Sequence, residues 1–283
     1  MSRFARQGLV FEFADSGPEG AEAVVLLHGW PQDRRAWDRV TPLLVARGLR
    51  VLALDQRGYS PGARPPGTAA YRMRELVADV AALLDEAGVD RGHLVGHDWG
   101  GAVAWAFAER HPERLASLTV LSTPHHRALA WALRHGDQAR RSWYMAAFQV
   151  PVLPEALLRR SLPRVLRRSG LPEQDVQRYA ARFREPGAAG AELAWYRALR
   201  SPLRGSRPGD GGSNDQRRRI TVPTTYVWGR HDPALGRAAA ERTAHWVASD
   251  YRFVELDAGH WLPETRPDDV AAAVLSRASR AEA

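Results

Sequence analysis

Short apolar runs alternate along this chain with longer stretches in which apolar residues recur every three or four positions. The short runs read as strands: Leu9–Phe13, Ala23–Leu27, Arg50–Leu54, Gly92–Gly96, Leu115–Leu121, Thr224–Trp228 and Arg252–Leu256, with Ser2–Arg6 as a weaker additional first strand. Tyr71–Ala87 reads as an amphipathic helix. Met73, Leu76, Val77, Val80, Leu83 and Leu84 fall on one face, and Gly88 stops it. Strands separated by helical stretches predict the α/β class, with a mostly parallel sheet of about eight strands flanked by helices. The rhythm breaks from Pro124 to Arg219. That region carries no convincing strand and reads as short helices punctuated by Pro151, Pro154, Pro163, Pro172 and Pro186, ending in a Gly- and Ser-rich loop over 205–214. The strand rhythm resumes at Ile220. The expected plan is a core over 1–123, an inserted all-helical cap over 124–219, and the rest of the core over 220–283.

The candidate chemistry sits where a strand pattern gives way to a helix pattern, at Gly96-His97-Asp98-Trp99-Gly100-Gly101. This layout resembles the nucleophile elbow of the α/β-hydrolase fold, in which flanking glycines permit a turn tight enough to lift the central side chain into a cleft. Many such elbows centre on Ser; this one centres on Asp98. A carboxylate attacks an sp3 carbon and forms an alkyl ester that water must then hydrolyse, chemistry suited to epoxides and alkyl halides. An Asp in a Gly-rich turn is otherwise an ordinary turn former, so its partners decide. In the chain order nucleophile, acid, histidine, Asp232 follows the strand Thr224–Trp228 and His260 follows Arg252–Leu256. Both fall after carboxyl ends of strands, where open α/β sheets place their sites. His260 is the candidate base and Asp232 its orienting acid, with Asp257 the nearest rival. His28-Gly29-Trp30-Pro31 follows the strand Ala23–Leu27. There the N–H groups of Trp30 and Trp99 are expected to form an oxyanion hole, with His28, Pro31 and Trp261 against the substrate. The alternative for His28 and Trp30 is simple packing. Pro31 fixes the turn, with a cis bond as one way to do so.

With these residues the chain resembles the soluble epoxide hydrolases of the α/β-hydrolase superfamily over nearly its whole length. The landmarks are His28-Gly29-Trp30-Pro31, Asp55-Gln56-Arg57-Gly58-Tyr59-Ser60, Gly96 to Gly101, Ser122-Thr123-Pro124-His125 and Gly259-His260-Trp261. Ser142 to Gln149 resembles the family's first cap-tyrosine motif and Trp195-Tyr196-Arg197 the second, which places the two tyrosines at Tyr144 and Tyr196. The resemblance implies that these phenols donate hydrogen bonds to the epoxide oxygen as the ring opens. Two departures stand out: His126 where a proline is expected, and a longer loop over 205–216. A haloalkane dehalogenase shares an Asp nucleophile followed by Trp and is the enzyme alternative; it does not need two cap tyrosines. A non-catalytic binding protein on the same scaffold is the alternative of another class.

Composition changes this picture little. The net charge is +8 and the pI about 10.6, which raises nucleic-acid binding. Every basic residue is Arg, however, and the clusters Arg140-Arg141, Arg159-Arg160, Arg167-Arg168 and Arg217-Arg218-Arg219 are scattered and read as solvated faces. No nucleic-acid partner is expected. The absence of cysteine excludes disulfides and a Cys nucleophile. Met1 to Gln7 lacks an apolar signal core and no apolar run approaches membrane-spanning length, so the expectation is a cytoplasmic protein without a membrane partner. Neither metal-ligand spacing nor a phosphate-binding glycine loop is apparent, so no metal and no cofactor are expected. A small-molecule epoxide is the expected partner. A homodimer is compatible with the sequence, though no residue demands it.

Overall fold

The computed structural model describes residues 1–199 and 219–278. Eight strands form one sheet: β1 (Ser2–Arg6), β2 (Leu9–Ser16), β3 (Ala23–Leu27), β4 (Arg50–Leu54), β5 (Gly92–His97), β6 (Leu115–Leu121), β7 (Thr224–Gly229) and β8 (Tyr251–Leu256). Their order across the sheet is β1-β2-β4-β3-β5-β6-β7-β8. All neighbours are parallel except β1–β2 and β2–β4. A two-residue turn joins β1 to β2, and Gln7 and Gly8 both take positive φ there, as a hairpin of matching twist requires. The expected strands recur within a few residues, Ser2–Arg6 among them.

The uninterrupted apolar runs mark the middle of the sheet. In β3, β5 and β7 every residue is buried, because helices cover both faces. The two-residue period then divides one run between two cores. Val25 and Leu27 join the core shared with the helices Met73–Glu86 and Trp99–Arg110, whereas Val24 and Leu26 point to the other face.

The helices are α1 (Thr41–Val45), α2 (Met73–Glu86), α3 (Trp99–Arg110), α4 (His126–His135), α5 (Gln138–Arg141), α6 (Trp143–Ala147), α7 (Leu153–Arg168), α8 (Glu173–Phe183), α9 (Ala188–Ala198), α10 (Arg237–Arg242), α11 (Leu262–Thr265) and α12 (Pro267–Ala278). The amphipathic stretch becomes α2 with the expected face buried, and it ends before Gly88 at φ +65°. Between β6 and β7 the described chain holds α4 to α9 and no strand. Pro163 is no punctuation mark there, because it lies inside α7. Its ring removes a backbone donor one turn down, and the carbonyl left over, that of Arg159, accepts from Arg184 Nε at 3.1 Å. Leu158, Leu162 and Leu166 bury the face that keeps the helix continuous. The expected loop over 205–214 and its length over 205–216 lie outside the described residues. No described helix is long and apolar enough to cross a membrane.

Candidate active site

The strand order reverses between β3 and β5, so the loops that follow these two strands lie side by side at the carboxyl edge of the sheet. That juxtaposition builds the site. Asp98 is the single residue between β5 and α3 and takes φ 51°, ψ −118°, a strained conformation for a non-glycine residue. The turn closes only because its neighbours lack side chains. A Cβ on Gly100 would sit 2.2 Å from Leu27 O, and one on Gly29 would sit 2.3 Å from Asp98 Cβ. The carbonyl of Asp98 is held by Ala102 N (3.1 Å) and by Thr123 Oγ1 (2.7 Å).

Three of the residues singled out in the sequence meet here. His260 Nε2 lies 3.6 Å from Asp98 Oδ2, and His260 Nδ1 lies 2.7 Å from Asp232 Oδ2. The other Asp232 oxygen accepts from the N–H groups of Ala234 (2.8 Å) and Leu235 (3.0 Å), which fixes the carboxylate in its own loop. Asp257, the rival acid, instead faces solvent and pairs with His231 and Arg230. Burial disfavours charge on His260, but Asp232 and Asp98 together outweigh it and push its pKa up to about 10. Burial likewise opposes the charge on Asp98, yet the hydrogen bond and charge of His260 hold the carboxyl below its usual range. The resting pair is therefore a carboxylate beside an imidazolium.

Trp30 N donates to Asp98 Oδ1 at 2.8 Å, beside a cis Trp30–Pro31 peptide. Trp99 opens α3, and its N–H is among the first-turn donors that have no partner within a helix. Tyr144 from α6 and Tyr196 from α9 stand together above the nucleophile, with ring centroids 6.2 Å apart. The Tyr196 ring meets Trp99 edge-on at 5.0 Å and Trp30 at 6.1 Å, and Phe148 closes the same aromatic wall. Burial, and after it neighbouring groups that include Asp98, raise both phenols above their ordinary pKa, so each keeps its proton.

One expectation changes. His28 is fully buried, its Nδ1 lies 2.9 Å from Gly29 O and its Nε2 lies 3.3 Å from Gln56 N. It ties the loops after β3 and β4 together and does not face the cleft, because the backbone occupies both ring nitrogens. Trp261 packs edge-on against His260 at 5.0 Å and donates its indole N–H to Ser169 Oγ (2.9 Å), which braces the base against the helical insertion. Pro31 is buried behind Trp30 in the chain.

The residues behind His260 were given no role in the sequence, although His97 and Ser122 fall within quoted motifs. His97 Nε2 and Ser122 Oγ both lie 2.9 Å from the His260 carbonyl oxygen. Gln32 Oε1 lies 2.8 Å from His97 Nδ1 and accepts from Gly29 N at 2.7 Å. Their signal was available: Gln32 directly follows His28-Gly29-Trp30-Pro31 and His97 lies inside the elbow motif beside Asp98, and both are fully buried. Linear order also hides Glu109, His125 and His126, whose side-chain donor atoms gather within 4.8 Å at the junction of α3 and α4. His125 is already engaged, with Nδ1 accepting from Arg127 N and Nε2 on Glu109, so this group serves as a helix cap.

The same architecture recurs in characterised proteins. A family model described as alpha/beta hydrolase fold matches residues 22–267. The AB hydrolase superfamily protein YfhM of Bacillus subtilis is 34% identical, over 95% of this chain and 94% of its own. Epoxide hydrolase A of Mycobacterium tuberculosis is 32% identical, over 95% of this chain and 94% of its own. A solved structure described among novel epoxide hydrolases of the alpha/beta hydrolase superfamily, from metagenomes of hot environments, superposes with a TM-score of 0.83 at 28% identity, covering 98% of this chain and 97% of that one.

Proposed function

We propose that this chain, a hydrolase that belongs to the epoxide hydrolase family of the α/β-hydrolases, converts an epoxide and water to a vicinal diol through an alkyl ester on Asp98. The observation that carries the reading is the pair of protonated phenols, Tyr144 and Tyr196, set over a carboxylate nucleophile that is backed by His260 and Asp232. Oδ1 of Asp98 is occupied by the Trp30 N–H, so Oδ2 is the attacking oxygen. It forms the C–O bond as the ring C–O bond breaks. The departing oxygen takes hydrogen bonds from the two tyrosines and a proton from one of them. Alkoxides leave poorly, and that need distinguishes an epoxide from an alkyl halide, whose leaving group requires no proton. The helices α4 to α9 act as the cap that brings both phenols to the site.

The second half-reaction follows from electrostatics. Alkylation neutralises Asp98 and removes one of the two carboxylates that keep His260 charged. Its pKa then falls from about 10, its proton goes to the phenolate left by ring opening, and the neutral imidazole becomes a base for water. Water attacks Cγ as His260 takes one of its protons, the oxyanion at Oδ1 is stabilised by the Trp30 and Trp99 N–H groups, and the Cγ–Oδ2 bond breaks with the second water proton going to the diol oxygen, which restores the Asp98 carboxylate and the His260 imidazolium. Asp232 keeps Nδ1 protonated throughout. The hydrolytic step accordingly accelerates as pH rises through the pKa of His260 in the ester.

Isotope tracing tests the reading. Excess enzyme and an epoxide panel headed by styrene oxide, in heavy-oxygen water, are expected to give diol whose new oxygen is unlabelled in the first turnover, with the label in the Asp98 peptide. Label delivered directly to the diol would overturn the ester route. Halide release from bromoalkanes without diol from any epoxide would favour the dehalogenase. Tyr144→Phe and Tyr196→Phe are each expected to slow ester formation by ~10²-fold, in line with loss of one preorganised donor, and the double variant by more. A double variant that alkylates Asp98 at the wild-type rate would remove the phenols from the mechanism.

A further inference from the structure

A buried run of polar contacts leads from α8 of the helical insertion to the back of His260. Tyr179 OH donates to Glu264 Oε1 at 2.8 Å, and Gln32 Nε2 donates to the same oxygen at 2.7 Å. Gln32 Oε1 accepts from Gly29 N, one residue before the Trp30 N–H that holds Asp98, and faces His97 Nδ1. His97 Nε2 lies 2.9 Å from the carbonyl oxygen of His260; burial pushes the His97 pKa down to about 3, so the neutral ring donates its single N–H to one of these two oxygens and packs against the other. Gln32, His97, Glu264 and Tyr179 are all at least nineteen-twentieths buried, so water does not compete for these bonds. The orientation of the Gln32 amide is dictated at both ends. The Gly29 N–H requires an oxygen on one side, and the Glu264 oxygen requires an NH2 on the other. Remove the acceptor at Glu264 and the amide loses the contact that sets it. His97 and the loop carrying Trp30 then lose their common brace.

We propose that Glu264 is a positioning residue, the buried acceptor that fixes Gln32 and through it both the His97–His260 contact and the Gly29–Trp30 loop, while Tyr179 makes the seating of α8 part of the same arrangement. This rests on the reading that His260 activates the hydrolytic water. The Glu264 side chain touches neither substrate nor nucleophile, so it acts through Trp30 and His260, and its influence falls most heavily on the hydrolytic step, which needs both of them in place.

A cycle of substitutions separates positioning from mere stability. Gln32→Glu sets two buried carboxylates against each other where 2.7 Å separates donor from acceptor now. Adding Glu264→Gln restores one donor and one acceptor with the roles exchanged. The expected result is that Gln32→Glu slows hydrolysis of the Asp98 ester by ~10-fold or more, that ester formation, which needs only the hold of Trp30 on Asp98, slows several-fold less, and that the double variant recovers to within ~3-fold of wild type. Glu264→Met, which deletes the acceptor without adding charge, is expected to slow the same step. Loss of thermal stability with an unchanged ratio of the two rates would overturn the proposal, as would a double variant no better than Gln32→Glu. A readout independent of turnover is the exchange-protected imidazole N–H signal of His97 in a ¹⁵N-histidine spectrum. It is expected in wild type, displaced in Gln32→Glu and restored in the double variant. If wild type forms no ester from any epoxide, the functional reading fails. The spectrum still decides whether Glu264 orders this run of contacts, and an unshifted His97 signal in Gln32→Glu would refute it.

Discussion

Replacing His260 with Gln stops the enzyme one step into its cycle. Asp98 remains a carboxylate with Oδ1 held by the Trp30 N–H, and Tyr144 and Tyr196 still face the leaving oxygen, so the ester forms. Nothing then takes the proton from water. General-base catalysis is worth ~10²–10⁴-fold, and steady-state turnover is expected to fall by at least the lower figure while ester formation changes far less. Intact-protein mass spectrometry after mixing with an epoxide shows the outcome directly as an increment equal to the substrate mass, and peptide mapping places it on Asp98. The rest of the site survives the substitution. Asp232, fully buried and bonded to the His260 Nδ1 in wild type, keeps its bonds from Ala234 and Leu235, so its loop holds even when the imidazole is gone. A variant that turns over normally, with no adduct at any time, would falsify the two-step route.

Asp98→Asn removes the reaction at its start. An amide is no nucleophile toward an epoxide carbon, and turnover is expected to drop by ~10⁴-fold or more, to the background of the preparation. The side chain keeps its shape and can still accept from Trp30 N, so folding is not the cause of the loss; Asp98→Ala gives the same result without an amide. The substitution has a second signature. His260 owes its pKa of about 10 to two carboxylates that outweigh burial, and the neutral amide leaves only Asp232 in that role. Titration of the His260 ring protons by NMR is expected to show a pKa below the wild-type value. The sign matters because the Asp98→Asn enzyme imitates the charge of the ester: an imidazole that stays charged to the same pH in the variant would leave His260 without a route to becoming a base.

How much of this was legible without coordinates depends on the range of the interaction. Strand positions came from runs of apolar residues, and β3, β4 and β6 appear with the expected ends, because burial on both faces of a parallel sheet leaves an unmistakable local mark. The elbow was legible because Gly96, Asp98 and Gly100 are neighbours in sequence. His28 misled because its position beside Trp30 suggested a shared role, whereas Gln56, far along the chain, claims its Nε2. Pro163 misled in the same way, since the group that satisfies the orphaned Arg159 carbonyl comes from Arg184. Gln32, His97 and Glu264 escaped for a related reason: no periodicity records a hydrogen bond between residues 232 positions apart.

Trp30 and Trp99, two of the ten tryptophans, border the one carboxylate whose charge appears and disappears in every cycle. Indole emission responds to charge in its immediate surroundings, and both rings also touch Tyr196, which gives up and regains a proton nearby if it is the acid. The protein therefore carries its own optical gauge. Formation and loss of the ester can be followed as a change and recovery of intrinsic fluorescence in a rapid-mixing experiment, with any epoxide, however featureless its own spectrum.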